Sequence, residues 1–159
     1  AQRARAFGIS IHYHNRNQLP NQIEDIYEAT YWKSLDEMIR RMDIISINCP
    51  LTKETRGLMS SKRLQLMMSE AFIINSSRSE IIDENALAKL LKANKIAGAG
   101  LDVFSRGRGN NVDLVDAPNT ILIPHMGSAT VEGRIEMGEK VIINIKTFID
   151  GHNPPNRII

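Results

Sequence analysis

Disulfide chemistry is excluded first: of 159 residues only Cys49 is a cysteine, and one thiol cannot make an internal bridge. That usage fits a reducing compartment, and a cytoplasmic location is the expectation. No apolar run approaches the roughly 20 residues needed to cross a bilayer, so a membrane-spanning helix is ruled out. Charge of one sign is equally scarce. Lys plus Arg is 20 against 18 for Asp plus Glu, a formal surplus of +2, and the basic residues are scattered. A nucleic-acid partner leaves a basic stripe, so none is expected. The chain has no initiator methionine, signal-peptide pattern, internal repeat or low-complexity tract. No metal is expected either.

What remains is an ordinary globular composition, 42% apolar and 24% charged, in a length that suits one domain. Ala1 to Phe7 are helix formers with no capping residue ahead of them, and Gly8 suits the position just past a helix end. This reads as the last part of a helix, so the chain is expected to be a fragment of something longer. Short apolar runs then alternate with helical patterns, which argues for a mainly parallel α/β sheet. Strands are expected at 9–14, 30–32, 43–47, 71–75, 97–103 and 121–123. Ser34 with Glu37 has capping-box spacing, Asp83 heads a helix carrying Ala86, Leu87, Leu90 and Leu91, and Ser60 to Met68 suit a short helix. A last helix over about 130–150 should bury Ile135, Val141, Ile142, Ile145 and Ile149, and Gly151 with Pro154-Pro155 ends it.

An open α/β sheet binds ligands beyond the carboxyl ends of its strands. That rule selects Asn15–Asn17, Asn48–Pro50, Asn75–Arg78, and Asp102 through His125. Arg78 follows an apolar strand, where a guanidinium can clamp a carboxylate or phosphate through a bidentate fork. The plainer alternative is a solvated arginine. His125 leaves another strand at the same sheet edge and is otherwise a satisfied structural histidine. Asp102 is a charge inside an apolar strand and needs a partner in protein or ligand.

Together the residues DIISINCPLT (Asp43–Thr52) with Glu54-Thr55, INSSRSEIIDE (Ile74–Glu84), GAGLDVF (Gly98–Phe104), Pro118-Asn119 and PHMGSAT (Pro124–Thr130) resemble the D-isomer-specific 2-hydroxyacid dehydrogenase family. The tail Gly151–Arg157 is most similar to its glyoxylate/hydroxypyruvate reductase branch. The resemblance implies a Rossmann-type, doubly wound parallel sheet, N-terminally incomplete. It implies a partial NAD(P)-binding domain over 1–130 and, over 131–159, a helix and tail packing back toward a substrate domain. The chemistry implied is hydride transfer between a nicotinamide and a small 2-oxo or 2-hydroxy acid, glyoxylate or hydroxypyruvate. Arg78 would grip the substrate carboxylate, and His125 would protonate the nascent alkoxide, a task suited to imidazole. Asp102 would hold the nicotinamide side, with Ser76 and Ser77 meeting the cofactor mostly through backbone. Pro50, His125, Met126 and Gly127 would line the same pocket. NAD-type sites carry an acidic residue after the second strand; here Asn15 stands there, followed by Arg16 and Asn17, which favours NADP over NAD. A homodimer is expected as well.

Two departures accompany the resemblance. The sequence has no G-x-G-x-x-G turn, which in the family presents backbone N–H groups to the pyrophosphate, and no strand ahead of it. In the 3-2-1-4-5-6 order that strand is central, so strands two and four should each expose an unpaired edge. The glutamate expected to pair with His125 falls on Gly107, flanked by Arg106 and Arg108. Without that carboxylate the imidazole loses help in staying protonated. Glu80, Glu84, Asp113 and Asp116 are the nearby carboxylates, and spacing supports none as a substitute. The competing reading is therefore a catalytically impaired nucleotide-binding or dimerisation remnant.

Overall fold

Strands form where the apolar, β-branched runs predict them, and all are short. In this computed structural model, which describes residues 1–105, 112–127 and 129–157, they are β1 (Ile11–Tyr13), β2 (Ala29–Tyr31), β3 (Ile44–Ile47), β4 (Phe72–Asn75), β5 (Gly98–Leu101) and β6 (Thr120–Leu122). Helices alternate with them: α1 (Gln2–Ala6), α2 (Asn21–Tyr27), α3 (Leu35–Ile39), α4 (Ser61–Leu64), α5 (Glu84–Lys92), α6 (Val112–Val115) and α7 (Val131–Ile149). Helix starts obey their capping residues. Ser34 Oγ accepts from Glu37 N–H, an Asp83 carboxylate oxygen from Ala86 N–H, and Thr130 Oγ1 from Gly133 N–H. Helix α4 is shorter than the 60–68 expectation, because Leu66 and Met67 turn tightly onto the carbonyls three residues back.

All pairings are parallel, and they make two sheets, β1-β2 and β3-β4-β5-β6. Among the described residues neither β1 nor β3 has a ladder partner on its other side, the arrangement expected of a 3-2-1-4-5-6 order without its central strand. The core lies under the four-stranded sheet. Ile45, Ile47, Ile73, Ala99 and Leu101 meet Ile39 of α3, Leu64 of α4, Leu87, Ala88 and Leu91 of α5, and Leu114 of α6. Gly98 and Gly100 are where strands approach most closely. A Cβ on Gly98 would stand 2.8 Å from the Asn119 carbonyl oxygen, and one on Gly100 3.0 Å from Ile74 Cδ1.

Burial departs from the apolar pattern in two places. Strands β3 and β4 are apolar runs, yet their burial alternates: Ile44 is 51% and Phe72 46% exposed, while Ile45 and Ile73 are buried. The helices that build the core cover one face of the sheet, and side chains on the other face point away from it. The α7 stripe of Ile135, Val141, Ile142, Ile145 and Ile149 is likewise not buried, each residue being more than half exposed. Periodicity specifies a helix, whereas burial requires a partner surface.

The chain divides into two compact units, residues 1–122 and 123–159. Among the described residues no helix is long and apolar enough to cross a membrane.

Candidate active site

The first unit carries a hydrogen-bonded cluster at the carboxyl ends of β3, β4 and β5. Its centre is Asn75, the last residue of β4, 1% exposed and the one buried polar side chain among the described residues. Asn75 Oδ1 accepts from Ser77 N–H at 3.0 Å, and its Nδ2 donates to the Arg78 carbonyl at 2.9 Å. The Asn75 carbonyl accepts from Asp102 N–H at 2.9 Å, so the residue just past β5 is tied to the end of β4. Ser77 Oγ donates to the Cys49 carbonyl, which draws in the segment leaving β3. The Ser77 hydroxyl is thus committed to protein.

Arg78 stands exposed at the head of a short 3-10 helix (Ser79–Ile81), with its backbone extended at φ −141° and ψ 141°. Its Nη1 donates to the Ser77 carbonyl at 2.8 Å. That bond leaves the Nε–Nη2 edge, whose two parallel N–H groups suit a carboxylate. Glu80 is held below the usual carboxylate range by its own backbone N–H and the Ser79 hydroxyl, with Arg56 and Arg78 adding to the effect. Asp102 is half-buried and hydrogen-bonded through its backbone to Asn75. Cys49 is half-buried, and burial pushes its thiol up, away from the reactive thiolate.

On the expected nucleotide side, Asn15, Arg16 and Asn17 form an exposed turn after β1. Asn15 Oδ1 accepts from Arg16 N–H at 2.9 Å, and Tyr31 Oη donates to the Asn15 carbonyl at 3.3 Å. The chain after Pro50 folds into a threonine-bonded turn. Thr55 Oγ1 donates to the Pro50 carbonyl at 2.6 Å, and Thr52 Oγ1 donates to Glu54 Oε2 at 2.7 Å. Glu54 is held low by that hydroxyl first, then by its own backbone N–H and by Arg16, so the guanidinium reaches the field of this turn. Ser76 is exposed.

The second unit opens with the loop that carries His125, Met126 and Gly127, all exposed. His125 has φ +53°, in the left-handed region that only three other described non-glycine residues enter. Such a backbone costs about 1–3 kcal/mol and concentrates at functional sites. Its N–H donates to the Ile123 carbonyl at 3.0 Å.

Gly107, Arg106 and Arg108 lie outside the described residues. Of the alternative carboxylates, Glu84 accepts from Ser105 N–H at 2.9 Å, Asp113 pairs with Lys92, and Glu80 accepts from Ser79 Oγ at 3.1 Å. The donor set suits a dinucleotide in part. Two guanidiniums, Arg16 and Arg78, and the Asp102 carboxylate follow parallel strands, but the sequence contains no glycine-rich cradle for a pyrophosphate.

Sequence reasoning placed Asn75 in the strand-end group without seeing its role. The signal was available: an Asn ending an apolar strand and followed by Ser-Ser is a frequent start for an Asx turn.

A parallel α/β unit with charged residues gathered past its strands has the architecture of a nucleotide-binding domain. The profile of the "D-isomer specific 2-hydroxyacid dehydrogenase, NAD binding domain" matches residues 1–127, and the chain belongs to this family of oxidoreductases. It is 42% identical over 158 residues to a glyoxylate reductase of Thermococcus litoralis, covering 99% of this chain and 47% of that one. A glyoxylate reductase structure from Paecilomyes thermophila superposes with a TM-score of 0.81 at 39% identity, over 92% of this chain and 44% of that one. The NADPH-dependent glyoxylate/hydroxypyruvate reductase of Sinorhizobium meliloti, in complex with NADP and malonate, gives 0.83 at 33% identity, over 93% of this chain and 45% of that one. The chain spans about half the length of the relatives it matches.

Proposed function

We propose that this chain is the nucleotide-binding part of an NADPH-dependent reductase of a small 2-oxo acid, glyoxylate or hydroxypyruvate. One observation carries the reading: the Asn75 carbonyl to Asp102 N–H bond, 2.9 Å long, sets Arg78 and Asp102 at adjacent strand ends. The bound reduced nicotinamide would supply a hydride to the carbonyl carbon of the acid. Arg78 would grip the carboxylate through its Nε–Nη2 edge and orient the carbonyl. His125 would donate a proton to the carbonyl oxygen as it gains charge, giving the 2-hydroxy acid. Asp102 would hold the nicotinamide side, with the backbone of Ser76 and Ser77, Pro50, Met126 and Gly127 around it.

NADP is the proposed cofactor because Asn15 does not repel a 2′-phosphate as a carboxylate would, and Arg16 can pair with one. The Sinorhizobium meliloti reductase, crystallised with NADP, supports the choice. Residues 1–130 would form the cofactor domain, and the exposed apolar stripe of α7 supports its packing, with the tail through 159, on a substrate domain. A cytoplasmic homodimer is proposed as well, as the family resemblance implies.

Titrating the chain with NADPH and separately with NADH, by nucleotide fluorescence, tests the reading. Saturable binding that prefers NADPH is expected. Arg16→Ala should weaken NADPH about ten-fold or more and leave NADH unchanged, as loss of a charge-assisted bond requires. Equal loss for both nucleotides would remove the 2′-phosphate role from Arg16. Absence of binding by either would sink the reading for this chain.

A further inference from the structure

We propose that Asn75 is the positioning residue of this site, the group that sets where Arg78 can present its guanidinium. The inference rests on the proposed role of Arg78 and adds to it a residue that would touch neither substrate nor cofactor. Three observations carry it. Asn75 is buried to 1% exposure at the end of β4, in a chain where no other described polar side chain is buried. Its amide uses both of its functions on the two residues that matter, accepting from Ser77 N–H at 3.0 Å and donating to the Arg78 carbonyl at 2.9 Å. Ser77 is then bonded at every polar group: its N–H to Asn75, its Oγ to the Cys49 carbonyl, and its carbonyl to Arg78 Nη1 at 2.8 Å.

The consequence is that Arg78 is held at two points, its own carbonyl and its guanidinium, and both lead back to Asn75. Only a short side chain carrying a donor and an acceptor can do this. An aspartate has no donor when ionised, a leucine has neither function, and a glutamine is one methylene longer. Burial strengthens the bonds and makes each costly to leave unmade. An exposed arginine would otherwise spread over many rotamers, and a carboxylate would have to order it on binding.

Asn75→Leu keeps the number and branching of the side-chain heavy atoms and removes both bonds. Amide exchange of the full chain should then quicken about ten-fold or more over residues 76–79, as loss of a buried hydrogen bond implies. Protection in α5 and β5 should persist. Ser77→Ala removes only the bond to Cys49 and should quicken the same segment by a smaller factor, which gives a second reading where the leucine variant does not fold. In the protein supplied with NADPH and glyoxylate, the Leu variant should raise the glyoxylate KM about ten-fold while the NADPH Kd stays within about two-fold, since one charge-assisted contact is mispositioned. Unchanged exchange at 76–79 in either variant overturns the proposal. So does equal loss of protection through α5 and β5, or a glyoxylate KM that stays put. A wild-type chain that binds no NADPH removes the proposed function instead, and the exchange measurements still decide whether Asn75 fixes Arg78.

Discussion

Every buried side chain of the connected core lies between Ile39 and Ala117, around the four-stranded sheet, whereas residues 1–38, which carry β1 and β2, contain no buried residue. The two-stranded half is held by polar and aromatic contacts at its surface. Tyr13 and Tyr31 rings lie 5.3 Å apart, and Tyr13 Oη donates to Glu24 Oε1 at 2.5 Å while accepting from Leu19 N–H at 2.8 Å. Trp32 Nε1 donates to His12 Nδ1 at 3.1 Å, the Arg41 guanidinium lies 5.4 Å from the Trp32 ring, and Arg5 pairs with Glu28. The same parallel pairing thus rests on two different physical supports. One half draws on apolar burial, the dominant favourable term in folding, and the other on exposed pairs individually worth little. The two-stranded half should therefore open first.

The sharpest way to break this comparison is to strike the core. Leu87 is fully buried on α5, and Leu87→Ala should cost about 3 kcal/mol in urea unfolding through lost transfer energy and a cavity. A cost below about 1 kcal/mol would mean that the core is not where stability resides. Next comes the strand contact at Gly98. Gly98→Ala puts a methyl 2.8 Å from the Asn119 carbonyl oxygen, and β5 and β6 should separate at a cost of about 1–3 kcal/mol. An unchanged melting temperature would show that Asn119 yields freely.

A smaller effect tests the other half. Tyr13→Phe deletes a hydroxyl with two partners, and amide exchange over 11–31 should quicken about five-fold, the size expected for a weak net hydrogen bond. Exchange in β3 to β6 should stay as it was; a uniform change would mean that the halves unfold together. The smallest expected effect is on acid stability. The Arg63 side-chain hydrogen bond, and then its charge, hold the exposed Asp36 carboxyl below its ordinary value. A lowered folded-state pKa contributes stability above the unfolded value, near pH 4, and that contribution is lost as pH falls through the lower folded one. Asp36→Asn should flatten the stability-against-pH curve slightly below about pH 4 and leave its upper part parallel to the wild type. A change in slope near neutrality would point to another group.

Local rules made most of the fold legible. Apolar runs marked the six strands found among the described residues, Ser34, Asp83 and Thr130 capped as their types require, and Gly98 and Gly100 sit where strands crowd. Burial was the part that local pattern did not settle. Ile44 and Phe72 belong to runs that look wholly interior, and the Ile135–Ile149 stripe looks like a buried face, yet both are exposed. A pattern records what a side chain prefers to face, and only a neighbouring surface can satisfy it. At the site, Arg78, Asp102 and His125 could be singled out because each is a charged or titratable residue at the end of an apolar run. Asn75 could not be ranked above other asparagines, because its importance lies in partners two and three residues on and in a desolvated position.

By itself, then, the sequence determined the order of strands and helices, their caps, the residue types at each strand end and the family to which they belong. These are short-range properties of spacing and side-chain chemistry. Tertiary structure alone decided that the core gathers on one face of the four-stranded sheet, and that Asn75 ties Ser77, Arg78 and Asp102 into one cluster. Hydrogen bonds and burial between segments distant in sequence depend on where the chain returns in space, and no local pattern carries that information.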